Sequence, residues 1–193
     1  DSIKGSVLLL HNIQSLKLVY SIFSNCRSKY YGVVRINIFY PMETMGHTNL
    51  TVLNTTFISC SSLNNGGAID LKVLHSLEME YLRDVRNRTL APEVFNVFIK
   101  YSRFYRCFSM SDGGAIGIKY INKNDMKDIN GFVEIIACCF FTNQAHKSGG
   151  AVSMWRIDTV LVQSCNFLNN TVSKSGGSIY ILQANFVSYI HFH

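Results

Sequence analysis

Five phenylalanines in this chain are each followed nine residues later by a glycine: Phe23 and Gly32, Phe57 and Gly66, Phe104 and Gly113, Phe140 and Gly149, Phe167 and Gly176. A fixed offset recurring this often marks an internal repeat. A repeat of a few tens of residues restricts the chain to a solenoid or array, in which each unit buries its apolar side only against its neighbours. In the last four copies the glycine opens a tetrapeptide: Gly66-Gly67-Ala68-Ile69, Gly113-Gly114-Ala115-Ile116, Gly149-Gly150-Ala151-Val152 and Gly176-Gly177-Ser178-Ile179. The first copy, Gly32-Val33-Val34-Arg35, is degenerate.

Two further columns keep the same register. Three residues after the phenylalanine stand Cys26, Cys60, Cys107, Asn143 and Asn170, and two before it stand Ser21, Thr55, Ser102, Cys138 and Cys165. Seven and five residues before it every copy is apolar: Leu16 and Leu18, Leu50 and Val52, Val97 and Ile99, Val133 and Ile135, Val160 and Val162. Pairs at i and i+2 lie on one face of a strand. A second strand follows each glycine pair, with Ile69, Leu71 and Val73 alternating with outward Asp70 and Lys72. Two or three short strands per repeat, with glycine turns and no helix, describe one coil of a solenoid.

The physical reading is an all-β fold, a right-handed parallel β-helix of about six coils spanning residues 1–193 as a single repeat domain. Stacking at strand spacing of about 4.8 Å makes interior ladders of like side chains: a phenylalanine stack, an aliphatic stack and a Cys/Asn ladder. The glycine pairs supply a positive-φ turn. Only two prolines, Pro41 and Pro92, interrupt a sheet whose amides must be paired.

The combined pattern, I-x-x-[STC]-x-F-x-x-[NC]-x5-G-G-A-[IV], resembles the repeat of chlamydial polymorphic outer-membrane proteins, whose FxxN and GGAI motifs mark autotransporter passengers, and similar β-helix repeats of large eukaryotic surface proteins. The resemblance runs from about Gly5 to His193. It departs at Cys26, Cys60 and Cys107, where the motif has asparagine, and in the first copy, which lacks the glycine pair. It implies a secreted or surface-displayed, adhesin-like domain rather than a reaction.

Successive phenylalanines are 34, 47, 36 and 27 residues apart. Taking the shortest interval as the bare coil, the excess falls in one turn, between the strand after the glycines and the next apolar pair. Loops Tyr40 to Asn49, Leu74 to Glu93 and Asn122 to Gly131 are therefore expected along one edge, the arrangement that repeat proteins use for binding insertions. The longest carries Arg83, Arg86 and Arg88, a candidate site for a sulfated glycan or anionic lipid, with a solvated charged loop as the plainer reading.

Net charge is +6, but the basic residues are scattered and no basic run interleaves with aromatics as nucleic-acid binders require, so no nucleic-acid partner is expected. No apolar run is long enough to span a bilayer. Val187 and Tyr189 fit the apolar pair of a sixth coil, and the next phenylalanine would fall one residue past the end, so the segment is expected to continue into further coils.

The cysteines read as thiols packed inside, because in-register parallel strands hold neighbouring Cβ vectors parallel and suit a disulfide poorly. No CxxC pair and no recurring histidine suggest a metal, and no cofactor is implied. N-glycosylation sequons stand at Asn49, Asn54, Asn87 and Asn169, of which Asn87, on the long loop, is the most credible. Parallel β-helices can also carry polysaccharide lyases and hydrolases, which need clustered carboxylates on an outward sheet face. The outward positions offer only Asp70 and Glu134, on different strand types and in nonadjacent copies of the phenylalanine–glycine repeat. Outward apolar positions Phe98, Ile136, Trp155, Leu161, Tyr180 and Leu182 form a candidate patch for a protein or for sugar stacking, with Trp155 and Phe98 as its aromatic anchors. The expected role is an extracellular or cell-surface domain that binds a host or matrix protein or a glycan. A carbohydrate-active β-helix and a purely architectural spacer are the alternatives.

Overall fold

Period-two apolar patterning becomes strand throughout the computed structural model, which describes residues 7–40, 47–75, 94–121 and 130–192. The first coil holds β1 (Leu8–His11), β2 (Ser15–Val19), β3 (Ile22–Ser24) and β4 (Arg27–Ser28). The second holds β5 (Val34–Tyr40), β6 (His47–Leu53), β7 (Thr56–Ile58) and β8 (Ser61–Ser62). The third holds β9 (Ile69–His75), β10 (Val94–Lys100), β11 (Arg103–Tyr105) and β12 (Phe108–Ser109), and the fourth β13 (Ile116–Ile121), β14 (Asn130–Ile136), β15 (Cys139–Phe141) and β16 (Gln144–Ala145). In the fifth, β17 (Val152–Leu168) runs round three faces before β18 (Thr171–Val172), and β19 (Ile179–Phe192) forms the sixth.

Every pairing between these strands is parallel and joins one coil to the next, which makes the architecture a parallel β-helix solenoid. The coil has four strands rather than two or three, because a two-residue strand follows each Cys/Asn position before the glycine turn.

Alternation decides which side chains enter the interior. Val34, Ile69, Ile116 and Val152 stack inside the first face, and Leu50, Val97, Val133 and Val160 inside the second, all nearly solvent-free. The five phenylalanines pair in register on the third face, with ring centroids 4.7–5.1 Å apart and planes within 5°. Phe57, Phe104 and Phe140 are fully enclosed, whereas Phe23 and Phe167 are half-buried.

The two polar columns flank this stack and satisfy the corners. The Thr55 amide donates to Ser102 Oγ at 3.2 Å, and the Thr55 hydroxyl reaches the Leu53 and Leu18 carbonyls at 3.0 and 3.2 Å. On the other side, the Cys107 amide donates to Asn143 Oδ1 at 2.9 Å, and Asn143 Nδ2 donates to the Phe104 carbonyl at 3.0 Å. Such side chains replace ladder hydrogen bonds that a bent strand cannot make. The bends lie at positive-φ residues three before each phenylalanine (Tyr20, Asn54, Tyr101, Ala137, Ser164) and two after (Asn25, Ser59, Arg106, Thr142, Asn169).

The glycine pair divides its work. Gly66, Gly113, Gly149 and Gly176 have positive φ. The second glycine is needed for close approach: a Cβ on Gly114 would lie 2.0 Å from the Gly150 carbonyl oxygen.

The register of the first copy differs from the phenylalanine–glycine offset. Val34, not Arg35, pairs with Ile69, so this copy is one residue shorter and Gly32 lacks the positive φ of Gly66. Burying Val34 and turning Arg35 outward satisfies alternation, whereas the nominal register would drive a guanidinium into the core.

The strands also reach further than expected. Tyr40, His47 to Asn49, Leu74, His75, Asn130 and Gly131 are strand residues held by ladder pairing, so the inserted segments narrow to 41–46, 76–93 and 122–129. All three join a first-face strand to a second-face strand. In the other coils that junction is a single bend, at Asn12, Arg156 or Gln183.

Candidate functional site

The outward side of the first face is where the structure concentrates chemistry. Two outward columns run along it, Arg35, Asp70, Gly117, Ser153 and Tyr180 in one, and Asn37, Lys72, Lys119, Trp155 and Leu182 in the other. Residues just before the glycines, among them Asp112 and Ser148, edge the same surface.

Asp70 was expected to face solvent, but it is buried. Its carboxylate forms an ion pair with the Arg35 guanidinium, which also donates to Asn37 Oδ1 at 2.9 Å and stacks 3.5 Å from the centre of the Tyr31 ring. Burial pushes the Asp70 carboxyl up to about 6, against the opposing pull of Arg35 and, further off, of Lys119 and Lys72. This end of the face is a closed structural plug.

Towards the fifth and sixth coils the surface opens into a groove of about 210 Å³ lined by Asp112, Lys119, Ser148, Ser153, Trp155, Tyr180 and Leu182. Lys119 Nζ donates to Asp112 Oδ2 at 2.7 Å and lies 5.2 Å from the centre of the Trp155 ring. Partial burial raises the Asp112 carboxyl, but the Lys119 ammonium and the Ser148 and Ser111 hydroxyls outweigh it and hold it below its ordinary value. Trp155 is 37% exposed. Ser153 is 3% exposed, and its hydroxyl has no hydrogen-bond partner among the described residues.

The six outward apolar residues do not make one patch. Trp155, Tyr180 and Leu182 share the groove, while Phe98 and Leu161 lie on the second face in one column with Glu134. There Lys100 pairs with Glu134 at 2.6 Å and lies 5.7 Å from the centre of the Phe98 ring, which tilts against Phe132. Ile136 sits at the far edge of that strand.

Asp70, Asp112 and Glu134 thus each face their own cation, an arrangement that holds charge rather than moving protons between two carboxylates. Among the described residues no cluster of three or more metal-ligating side chains occurs. The six cysteines are free thiols, and burial pushes Cys107 well up. Asn54 and Asn169 occupy exposed positive-φ corners, and Asn49 accepts a 2.9 Å hydrogen bond from Asn96. Arg83, Arg86, Arg88 and Asn87 lie outside the described residues.

Sequence reasoning named Trp155, Tyr180 and Leu182 but missed Asp112, Ser148 and Ser153. Asp112 and Ser148 recur at a fixed offset, with Asn65 and Ser175, immediately before the first glycine. Reading that turn column beside the strand columns would have found them.

Comparison with known proteins adds one match. Residues 164–182, which include Phe167, Asn170, Gly176 and Gly177, match the family model described as the Chlamydia polymorphic membrane protein repeat. No curated protein and no solved structure matches the chain. The fifth repeat, running into the sixth coil, is therefore similar to a polymorphic membrane protein repeat.

Proposed function

We propose that this chain is a surface-associated β-helix repeat domain of adhesin type, which binds a host or matrix protein or a glycan and carries out no chemistry of its own. One observation carries the reading: three insertions of unequal length and composition all enter at the same junction, after β5, β9 and β13, while the rest of the coil keeps its register. A scaffold held constant beneath variation at one edge is how solenoids present binding surfaces. The match of residues 164–182 to a membrane-protein repeat supports a cell-surface setting.

The test is a cell-surface and glycan binding screen of the chain beside a variant in which 76–93 is cut to the bare junction found at Arg156. The expected result is binding by the parent that is lost in the folded, shortened variant. No binding by either folded protein would overturn the reading in favour of a spacer.

A further inference from the structure

We propose that the groove between Asp112 and Trp155 is a binding site for an uncharged saccharide, with a pyranose ring stacked on the Trp155 indole and its hydroxyls on Asp112 and Ser153. The inference deepens the surface-binding reading and rests on it, but moves the contact from the inserted edge to the sheet.

The chemistry of the groove selects the ligand. A sugar ring has an apolar C–H face and a polar rim, and the groove offers an aromatic face beside a carboxylate, an ammonium and hydroxyls. The Lys119 ammonium is already engaged by Asp112, so the pair is neutral and gives an anionic ligand no uncompensated cation. An apolar peptide would strip water from that ion pair without replacing its hydrogen bonds, which is costly. A polyol leaves the pair intact: Asp112 accepts from two hydroxyls, and Lys119 and the indole N–H donate.

Ser153 is the independent indication. A hydroxyl this buried without a partner is uncommon in a folded protein and calls for an occupant of the space it faces. Gly117, beside it in the same column, adds no room, because the turn at Asn65 and Gly66 already fills that position, 3.0 Å from where a Cβ would lie; the wall of the groove is the Lys119–Trp155 column. Tyr180 and Leu182 extend that wall into the next coil, a layout suited to a ring and its linked neighbour lying along the solenoid axis.

Trp155 is the only tryptophan, so its emission reports on the groove alone. The experiment titrates the chain with methyl β-glucopyranoside, lactose, mannobiose and N,N′-diacetylchitobiose, with digalacturonic acid as the anionic comparison. Saturation-transfer NMR is run on the same sugars with Trp155→Ala. A saturable emission change with at least one neutral sugar is expected, weakened about five-fold or more by Ser153→Ala. Transfer should be lost in Trp155→Ala while thermal unfolding is unchanged. Response to digalacturonic acid alone, no response to any neutral sugar, or transfer that survives Trp155→Ala would each overturn the proposal. Cell-surface binding lost on shortening 76–93 but kept in Trp155→Ala would leave the domain reading standing without the groove. A sugar response with no cell-surface binding would do the reverse.

Discussion

Arg35 and Asp70, neighbours in consecutive coils, form an ion pair whose side chains are only 7% and 2% exposed, on the outward face of a sheet. The pair gives stability a pH dependence of definite sign. With Asp70 raised to about 6 in the folded state, the native protein holds a proton that the unfolded chain has released once the pH passes the ordinary carboxylate value. Stability should therefore fall as pH rises from about 4 to 6, by at most about 1.4 kcal/mol per unit, and level off above that. Urea titrations across this range check it, and Asp70→Asn should flatten the curve.

Removing one partner is more damaging. Arg35→Ala leaves a buried carboxylate without its cation and is expected to cost about 3–5 kcal/mol near neutral pH, measured by the same titrations.

The second glycines make a matched comparison. Gly114→Ala would set a Cβ 2.0 Å from a backbone oxygen of the next coil, whereas a Cβ on Gly177 meets nothing within 4 Å. The first substitution should destabilise by about 3 kcal/mol or more, and the second by about 0.5 kcal/mol or less. Paired thermal melts decide it.

The phenylalanine stack predicts a gradient. Phe104 is fully enclosed between Phe57 and Phe140, so Phe104→Ala should cost about 3–5 kcal/mol. Phe23 is half-buried with one stacking partner in the ladder, and Phe23→Ala should cost about half as much.

One corner is open to improvement. Thr142 is exposed and β-branched at φ 53°, a conformation that costs an L-residue about 1–2 kcal/mol. Thr142→Gly relieves that strain and loses part of the gain to unfolded-chain entropy, for a net stabilisation of about 0.5–1 kcal/mol. Thr142→Ala, which keeps a Cβ, should gain little.

The stacked core was legible because inward residues repeat at fixed offsets from the phenylalanines, so pairs such as Phe57 and Phe104, or Val97 and Val133, could be aligned without coordinates. The first coil was misread because Gly32 stands nine residues from Phe23 by coincidence; inward alternation of Val34, Ile36 and Ile38 carried the true register. Asp70 was placed in solvent because alternation reports which side of a strand a residue takes, not what lies over it; Arg35 reaches it from the neighbouring coil and is itself stacked on Tyr31. Asp112 escaped because it stands in the short turn before the first glycine, a column that apolar alternation does not reach. The inserted segments were drawn too long because polar strand ends such as His47 to Asn49 are held by pairing with the next coil rather than by apolar pattern.

Both the fold and the proposed site require Lys119, Trp155 and Leu182 to stand in one column although 36 and 27 residues separate them in sequence. The direct test is a nuclear Overhauser measurement from the Trp155 indole protons. The predicted result is cross-peaks to the Lys119 methylenes on one side and to the Leu182 methyls on the other. Cross-peaks confined to sequence neighbours of Trp155 would contradict the stacked register and the groove built on it.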